Sequence, residues 1–278
     1  MAPADLPPPS NPEQRVLITG AAGAIGSSLR DNLAGRYRHL RLADLVDVGD
    51  VRPGEEHDRG DIQEMDACLR MTRDVDCIVH LAGQATESTW ERVLGPNIIG
   101  CYNVYEACRQ NGVKRFIFAS SNHAVGFHRT DRLIDRTAQT RPDSRYGVSK
   151  VFGEAMGRLY ADKHGMQVAC MRIGSFQPKP QDRRQLSTWF SPDDLARMVA
   201  ALIDAERFHF ITPYGASPTS RPYWTNADIT EVAFDLKDNA DDYAGADLPE
   251  MTDAVARDFV GGPYAAAEFT GDAKKIDR

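Results

Sequence analysis

Short apolar runs alternate with longer amphipathic stretches through the first two thirds of the chain. The segment RVLIT, Arg15–Thr19, is a β-branched run that stops at a cluster of glycines, the pattern of a buried strand. A helical pattern follows from Ala24 to Leu33, and HLRLAD reads as a second strand ending at Asp44. Two more apolar runs bounded by turn residues, DCIVHLA (Asp76–Ala82) and KRFIFAS (Lys114–Ser120), predict further strands. Between them a helical stretch, roughly Glu91 to Gln110, is interrupted at Gly95-Pro96. A helix around Tyr146 and Lys150 comes next, then a strand at QVACMRI, Gln167–Ile173. Strands alternating with helices build βαβ units, so the pattern predicts an α/β fold with a parallel sheet covered by helices on both faces. Beyond Ile173 the pattern loosens. SPDDLARMVAALIDAE is a helix with Ser191 as N-cap, Pro192 at the first helical position and two aspartates in the first turn. FHFIT (Phe208–Thr212) fits one more strand, and the later segments place Pro, Gly and aromatic residues in long loops. In such a sheet a ligand sits beyond the carboxyl ends of the strands, so the residues following each strand are where chemistry is expected.

Composition narrows the classes. Over 278 residues, 42% hydrophobic and 26% charged content is that of an ordinary globular protein. A net charge of −7 argues against a nucleic-acid surface, though a few buried cations can still hold an anionic small molecule. The five cysteines (Cys68, Cys77, Cys101, Cys108, Cys170) are odd in number and scattered, without a C-x-x-C. A disulfide framework or a metal site is therefore not expected, and a reducing cytoplasm fits best. No apolar run approaches the length of a membrane helix. The opening MAPADLPPPSNPEQ lacks the basic start and apolar stretch of a signal peptide, and residues 1–14 are expected to be a disordered tail.

The first strand runs into TGAAGAIG, with glycines at 20, 23 and 26. Gly20 permits a tight turn, Gly23 lets the backbone approach a pyrophosphate, and Gly26 allows close packing of the helix. Ala24, Ile25 and Gly26 open that helix, whose free N–H groups would face the phosphates. A glycine pattern alone is weak. Here it follows a strand, opens a helix, and precedes Asp44 at the end of the second strand, 18 residues on (44 − 26). The expected fold is thus a Rossmann-type doubly wound sheet, with an NAD-binding domain over 15–174. Over 175–278, a small C-terminal substrate-binding region, its segments interleave with the last strands and helices. A carboxylate at Asp44 accepts hydrogen bonds from both adenosine ribose hydroxyls and repels a 2′-phosphate. Leu45, not an arginine, follows it, so NAD is favoured over NADP. Asp61 and Ile62 are candidates for the adenine edge, and Ala82 and Gly83 for the passage of ribose and nicotinamide. His80, inside its strand, reads as a packed core histidine.

Tyr146 lies four residues before Lys150, one helical turn away. In a chain with nine tyrosines this spacing alone also fits a solvated helix face. After a dinucleotide loop it gains meaning. A phenol with pKa of about 10 is poorly poised as a base at neutral pH, and an ammonium one turn away favours the phenolate. A hydroxyl from the preceding strand end, Ser120 or Ser121, would bond the reacting oxygen.

These residues together resemble the extended short-chain dehydrogenase/reductase family, with its T-G-x-x-G-x-x-G loop and Ser–Tyr–Lys site. The resemblance implies Ser121, Tyr146 and Lys150 as the catalytic set, with Ser120 structural. It also implies that Lys150 bonds the nicotinamide ribose and that the protein is a homo-oligomer. NIIGCYNVYEACR, FASSNHAVGF, YGVSKVFGE, MRIGSFQP and LSTWFSPDD are similar to members of that family that oxidise a hexuronate, D-galacturonate or D-glucuronate, at C1 to the aldaro-1,5-lactone. That similarity implies that Ser121, Asn122 and His123 contact the sugar and that Ser175 lies at its edge. Arg184 would meet the carboxylate, and Phe176 would sit beside the nicotinamide. Arg183 is the neighbouring alternative to Arg184. The chain departs from the pattern where a serine is expected after HLAG and Ala85 stands instead, followed by Thr86. Nothing functional carries over to the C-terminal tail. A nucleotide-sugar epimerase or dehydratase shares the general motifs and stays open, as does a redox-sensing NAD binder. Only about 100 residues remain after the sixth strand, which suits a small free substrate.

Overall fold

In a computed structural model, the protein is described over residues 4–276. The central strand β1 (Arg15–Thr19) pairs with β2 (His39–Asp44) on one side and with β4 (Cys77–His80) on the other. The order across the sheet is β10-β6-β5-β4-β1-β2-β3, with β9 also on β6, and every pairing is parallel. Here β3 is Glu55–Arg59, β5 Arg115–Ser121, β6 Gln167–Ile173, β9 Phe210–Ile211 and β10 Tyr214–Gly215. The direction of strand addition reverses between β1 and β4, and the carboxyl ends of those strands flank the crevice of a doubly wound fold.

Alternation along β1 divides the core. Val16 and Ile18 point into one cluster with Leu29 and Leu33 of α1 (Ala24–Leu33) and with Leu195, Val199 and Leu202. Leu17 points into the other, with Met71 of α2 (Met65–Met71) and with Val104, Tyr105, Phe116 and Tyr160. The stretch expected to break at Gly95-Pro96 is helical throughout but changes type there. It runs through α3 (Trp90–Val93), a π-helical turn (Leu94–Gly100) and α4 (Cys101–Gln110). Proline supplies no N–H to an α ladder, and the wider turn absorbs the mismatch. Ser144 caps α5 (Arg145–His164) by accepting the Gly147 N–H at 3.0 Å, and Gly165 ends it with φ of 69°.

Past β6 the chain forms a two-stranded parallel ribbon, β7 (Ser175–Phe176) with β8 (Trp189–Phe190), around α6 (Gln185–Thr188). Then α7 (Pro192–Asp204) covers the sheet, its Ser191 cap accepting the Asp194 N–H at 3.0 Å. Two short helices, α8 (Ala254–Asp258) and α9 (Pro263–Ala266), follow. Among the described residues no helix is long and apolar enough to cross a membrane.

Three features depart from the sequence-based expectation. The sheet has an extra edge strand, β3, whose sequence EEHDR carries no apolar alternation. An edge strand needs charge more than hydrophobicity, and Glu55 is neutralised by Arg30 at 2.7 Å. The helix α2 was also not anticipated. Residues 4–14, expected as a disordered tail, instead lie against the domain. The Ala4 N–H donates to Asn32 Oδ1 at 2.6 Å, Arg36 bonds the Pro7 carbonyl, and the Arg38 N–H reaches the Pro12 carbonyl at 2.7 Å. Prolines lower the entropy lost on docking, and their carbonyls remain good acceptors.

Candidate active site

A cleft of about 990 Å³ opens along the carboxyl ends of the strands. Its walls take in Gly20, Gly23, Ala24, Ile25, Gly26, Asp44, Leu45, Asp61, Ile62, Ala82 and Gly83 at one end. Ser121, Asn122, His123, Tyr146, Lys150, Ser175, Phe176 and Arg184 line the same cleft.

The glycine turn has the shape a dinucleotide requires. Gly20 sits at φ of 73°, and a Cβ there would lie 2.7 Å from the Ala82 nitrogen; one on Gly26 would lie 2.2 Å from the Gly20 carbonyl oxygen. Gly23 is the N-cap of α1 and offers no side-chain cap, so the first N–H groups of the helix remain available to an anion. Asp44 is fixed by accepting from the Ala22 N–H at 2.9 Å and the Val46 N–H at 3.2 Å. Asp61 accepts the Gln63 N–H at 2.8 Å. His80 lies in the core, its Nδ1 2.7 Å from the Thr19 hydroxyl, and burial lowers its pKa to about 3, so the ring is neutral. These features fit an NAD-type cofactor.

Ser121 ends β5 with an extended backbone and starts a 3₁₀ turn, Asn122–Val125, whose His123 N–H it accepts at 3.2 Å. Its side chain lies beside the Tyr146 phenol and favours the ionised form. Ser120 points the other way and donates to Glu154 at 2.6 Å, while Arg172 grips both oxygens of that carboxylate at 2.9 Å. Tyr146 and Lys150 come from the first turns of α5, and both are buried. The expectation that Lys150 lowers the phenol's pKa does not hold for the protein alone. Burial pushes Tyr146 above the ordinary tyrosine value, and only the Ser121 bond among its polar partners opposes this. The Lys150 ammonium donates to the Ala119 carbonyl at 2.7 Å and lies 5.3 Å from the centre of the Tyr146 ring. Burial in turn lowers the Lys150 pKa to about 8.

Arg184 precedes α6 and is half-buried. Its Nη2 donates to the Val260 carbonyl at 2.5 Å, while its Nε is buried without a partner among the described residues. Desolvation pulls its pKa down. Arg183 instead points outward, pairing with Glu250 at 3.2 Å, both well exposed. The Ser175 hydroxyl lies 2.9 Å from that of Thr188. Ala85 and Thr86 both face the cleft, and the Thr86 hydroxyl accepts from Gln84 at 3.1 Å.

The sequence reading missed two groups. Gly261, Pro263 and Tyr264, from the tail to which no role was given, form part of the wall. Tyr264 stacks on His123 with ring centres 4.1 Å apart and meets Tyr146 edge-on at 6.4 Å. Glu87 was also missed. Its carboxylate accepts the Tyr146 N–H at 2.8 Å and pairs with Arg145 at 2.8 Å. No local motif announces contacts that span 58 residues or more.

Residues 16–192 match the NAD dependent epimerase/dehydratase family. The uronate dehydrogenase of Pseudomonas putida is 39% identical over 264 residues, which cover 93% of this chain and 98% of that protein. The uronate dehydrogenase of Agrobacterium fabrum is 40% identical over 256 residues, covering 90% and 96%. The crystal structure of uronate dehydrogenase from Agrobacterium tumefaciens superposes with a TM-score of 0.86 at 39% identity, covering 91% of this chain and 97% of that one. The chain belongs to the NAD dependent epimerase/dehydratase family, and both its sequence and its fold place it with the uronate dehydrogenases.

Proposed function

We propose that the protein is an NAD-dependent dehydrogenase that oxidises a hexuronate, D-galacturonate or D-glucuronate, at C1 to the aldaro-1,5-lactone. Arg184 carries this reading. A guanidinium with an unpartnered buried donor, on the wall of a nucleotide-type cleft in an acidic chain, is suited to a substrate carboxylate. The names of the similar proteins point the same way.

NAD, when bound, accepts the hydride that leaves C1. Ser121 holds the C1 hydroxyl by a hydrogen bond, and Tyr146 takes its proton as the C–O bond gains double-bond character. Lys150 holds the nicotinamide ribose and contributes positive charge near the phenol. Asn122, His123 and Ser175 take sugar hydroxyls, and Phe176 packs at the nicotinamide end. Incubation with NAD and each hexuronate should raise the absorbance of reduced nicotinamide. Absence of that signal with both sugars would overturn the reading.

Asp44 should make NAD the working cofactor, since its carboxylate repels a 2′-phosphate. Asp44→Ala should narrow the gap to NADP mainly by weakening NAD. The check is kcat/KM for both cofactors in both proteins, and a wild type that prefers NADP contradicts it.

We place the enzyme in the cytoplasm, a reading supported by five free, buried thiols. We also read it as a homo-oligomer, because Tyr102 on α4 and Val148 and Leu159 on α5 expose apolar surface on neighbouring helices. Light scattering should give a mass above one chain, and a monomer mass removes this reading.

A further inference from the structure

His123 is held more firmly than a sugar contact alone requires. Its Nδ1 lies 2.8 Å from Oδ2 of Asp143, whose side chain is fully buried. The other carboxylate oxygen, Oδ1, is 2.8 Å from the Ser144 hydroxyl. That hydroxyl oxygen already accepts the Gly147 N–H at 3.0 Å, so its one proton points to Asp143. Backbone presses on the carboxylate from two segments: a Cβ on Gly126 would lie 1.9 Å, and one on Gly261 1.6 Å, from Oδ2. The imidazole stacks on Tyr264 and meets the Tyr146 ring edge-on at 5.9 Å. Its side chain makes its one hydrogen bond through Nδ1, so Nε2 has no protein partner among the described residues, and His123 lines the cleft.

We propose that Asp143 is a positioning residue that sets the tautomer of His123, keeping the ring proton on Nδ1 and leaving Nε2 as a bare acceptor for a substrate hydroxyl beside Tyr146. An ionised carboxylate only accepts hydrogen bonds, so the imidazole nitrogen facing it must donate. Free neutral imidazole side chains favour the opposite tautomer, which would aim an N–H into the cleft. Ser121, Asn122 and Arg184 already supply donors there, and a sugar hydroxyl also has a proton to give. An acceptor at Nε2 completes the set. The identity of the hydroxyl's owner, a hexuronate, rests on the proposed function; the tautomer does not.

Asp143 also opposes ionisation of Tyr146 and supports the charge on Arg184 through its field. The test must therefore isolate the route through His123. In the wild-type protein labelled with ¹⁵N-histidine, and assigned against His123→Ala, two-bond proton–nitrogen spectra should show a protonated Nδ1 and a bare Nε2 for His123. In Asp143→Asn the amide oxygen stays with the Ser144 hydroxyl, and the amide NH₂ faces Nδ1. The ring proton should then move to Nε2, and the two nitrogen signals should exchange character. Asp143→Asn should lower kcat/KM for the hexuronate about tenfold, the scale of one misdirected hydrogen bond, with NAD affinity unchanged. In a His123→Ala background the same substitution should add less than about threefold, because the residues then act as one unit.

A wild-type His123 that carries its proton on Nε2, or on both nitrogens, overturns the proposal. So does an undiminished loss from Asp143→Asn when His123 is already absent, since Asp143 would then act on Tyr146 or the fold directly. If neither hexuronate is oxidised, the proposed function fails, while the wild-type spectrum still decides the tautomer without any substitution.

Discussion

Tyr146→Phe is expected to lower kcat by at least ~10²-fold, the scale of general-base catalysis, with little change in NAD affinity. The phenol oxygen is the only part of the side chain removed. The ring would keep its edge contacts with His123 and Tyr264, so the wall of the cleft should survive. The cost is chemical. Burial already pushes the phenol above its ordinary range, and its base strength depends on positive charge brought to it. The oxidised nicotinamide would supply that charge when bound, and the Lys150 ammonium lies 5.3 Å from the ring centre. Steady-state rates with saturating NAD, together with NAD binding by fluorescence, measure the two effects separately. Turnover close to that of the wild type would remove Tyr146 as the base.

Arg184→Ala is expected to raise KM for galacturonate strongly, by the ~2–5 kcal/mol typical of stripping one partner from a desolvated charge pair. A hexuronate differs from its parent hexose in carrying C6 as a carboxylate, which loses its hydration on entering the cleft. The chain carries a net charge of −7, so compensation has to be local. The planar guanidinium matches a carboxylate, and its buried Nε has no partner among the described residues. Galactose has no charge at that position, and its turnover should be weak in both proteins and nearly unaffected. Arg184→Lys should recover only part of the loss, because a point charge cannot form two parallel bonds. Arg184 also packs against Gly262 and bonds the Val260 carbonyl. Equal losses on galacturonate and galactose would mean that it holds the 260–264 segment and not the carboxylate.

Particular residues show how far the fold was legible. The strands at Arg15–Thr19, His39–Asp44 and Gln167–Ile173 have the bounds their runs suggested, because each has a parallel neighbour on both sides and buries most of its apolar residues. The runs at 76–82 and 114–120 were placed within one or two residues. In the first case the strand stops early, since Gly83 turns the chain at φ of 148°. By contrast β3 and α2 were illegible, because a charged edge strand and a seven-residue helix leave little periodicity.

By itself the sequence determined the chemistry-bearing pieces that lie within one or two turns of each other. The glycine loop with its acid, Tyr146 with Lys150, and the Ser120–His123 run are local patterns. Their spacing follows from a strand, a turn or a helix, which short-range backbone physics sets. Only the tertiary structure decided how they are tuned and closed. Whether Ser120 or Ser121 faces the cleft depends on a strand's orientation between two layers of helices. Whether Lys150 or burial governs the phenol depends on how deeply α5 is sunk and on the Ala119 carbonyl waiting for the ammonium. Arg184 and Arg183 are alike in sequence, but one is packed beneath Gly262 and the other pairs with Glu250 at the surface. The clamp of Asp143 on His123 and the bond from Glu87 to the Tyr146 backbone span 20 and 59 residues. Such contacts exist only once a closed hydrophobic core has brought distant segments together, so no local rule of spacing can announce them.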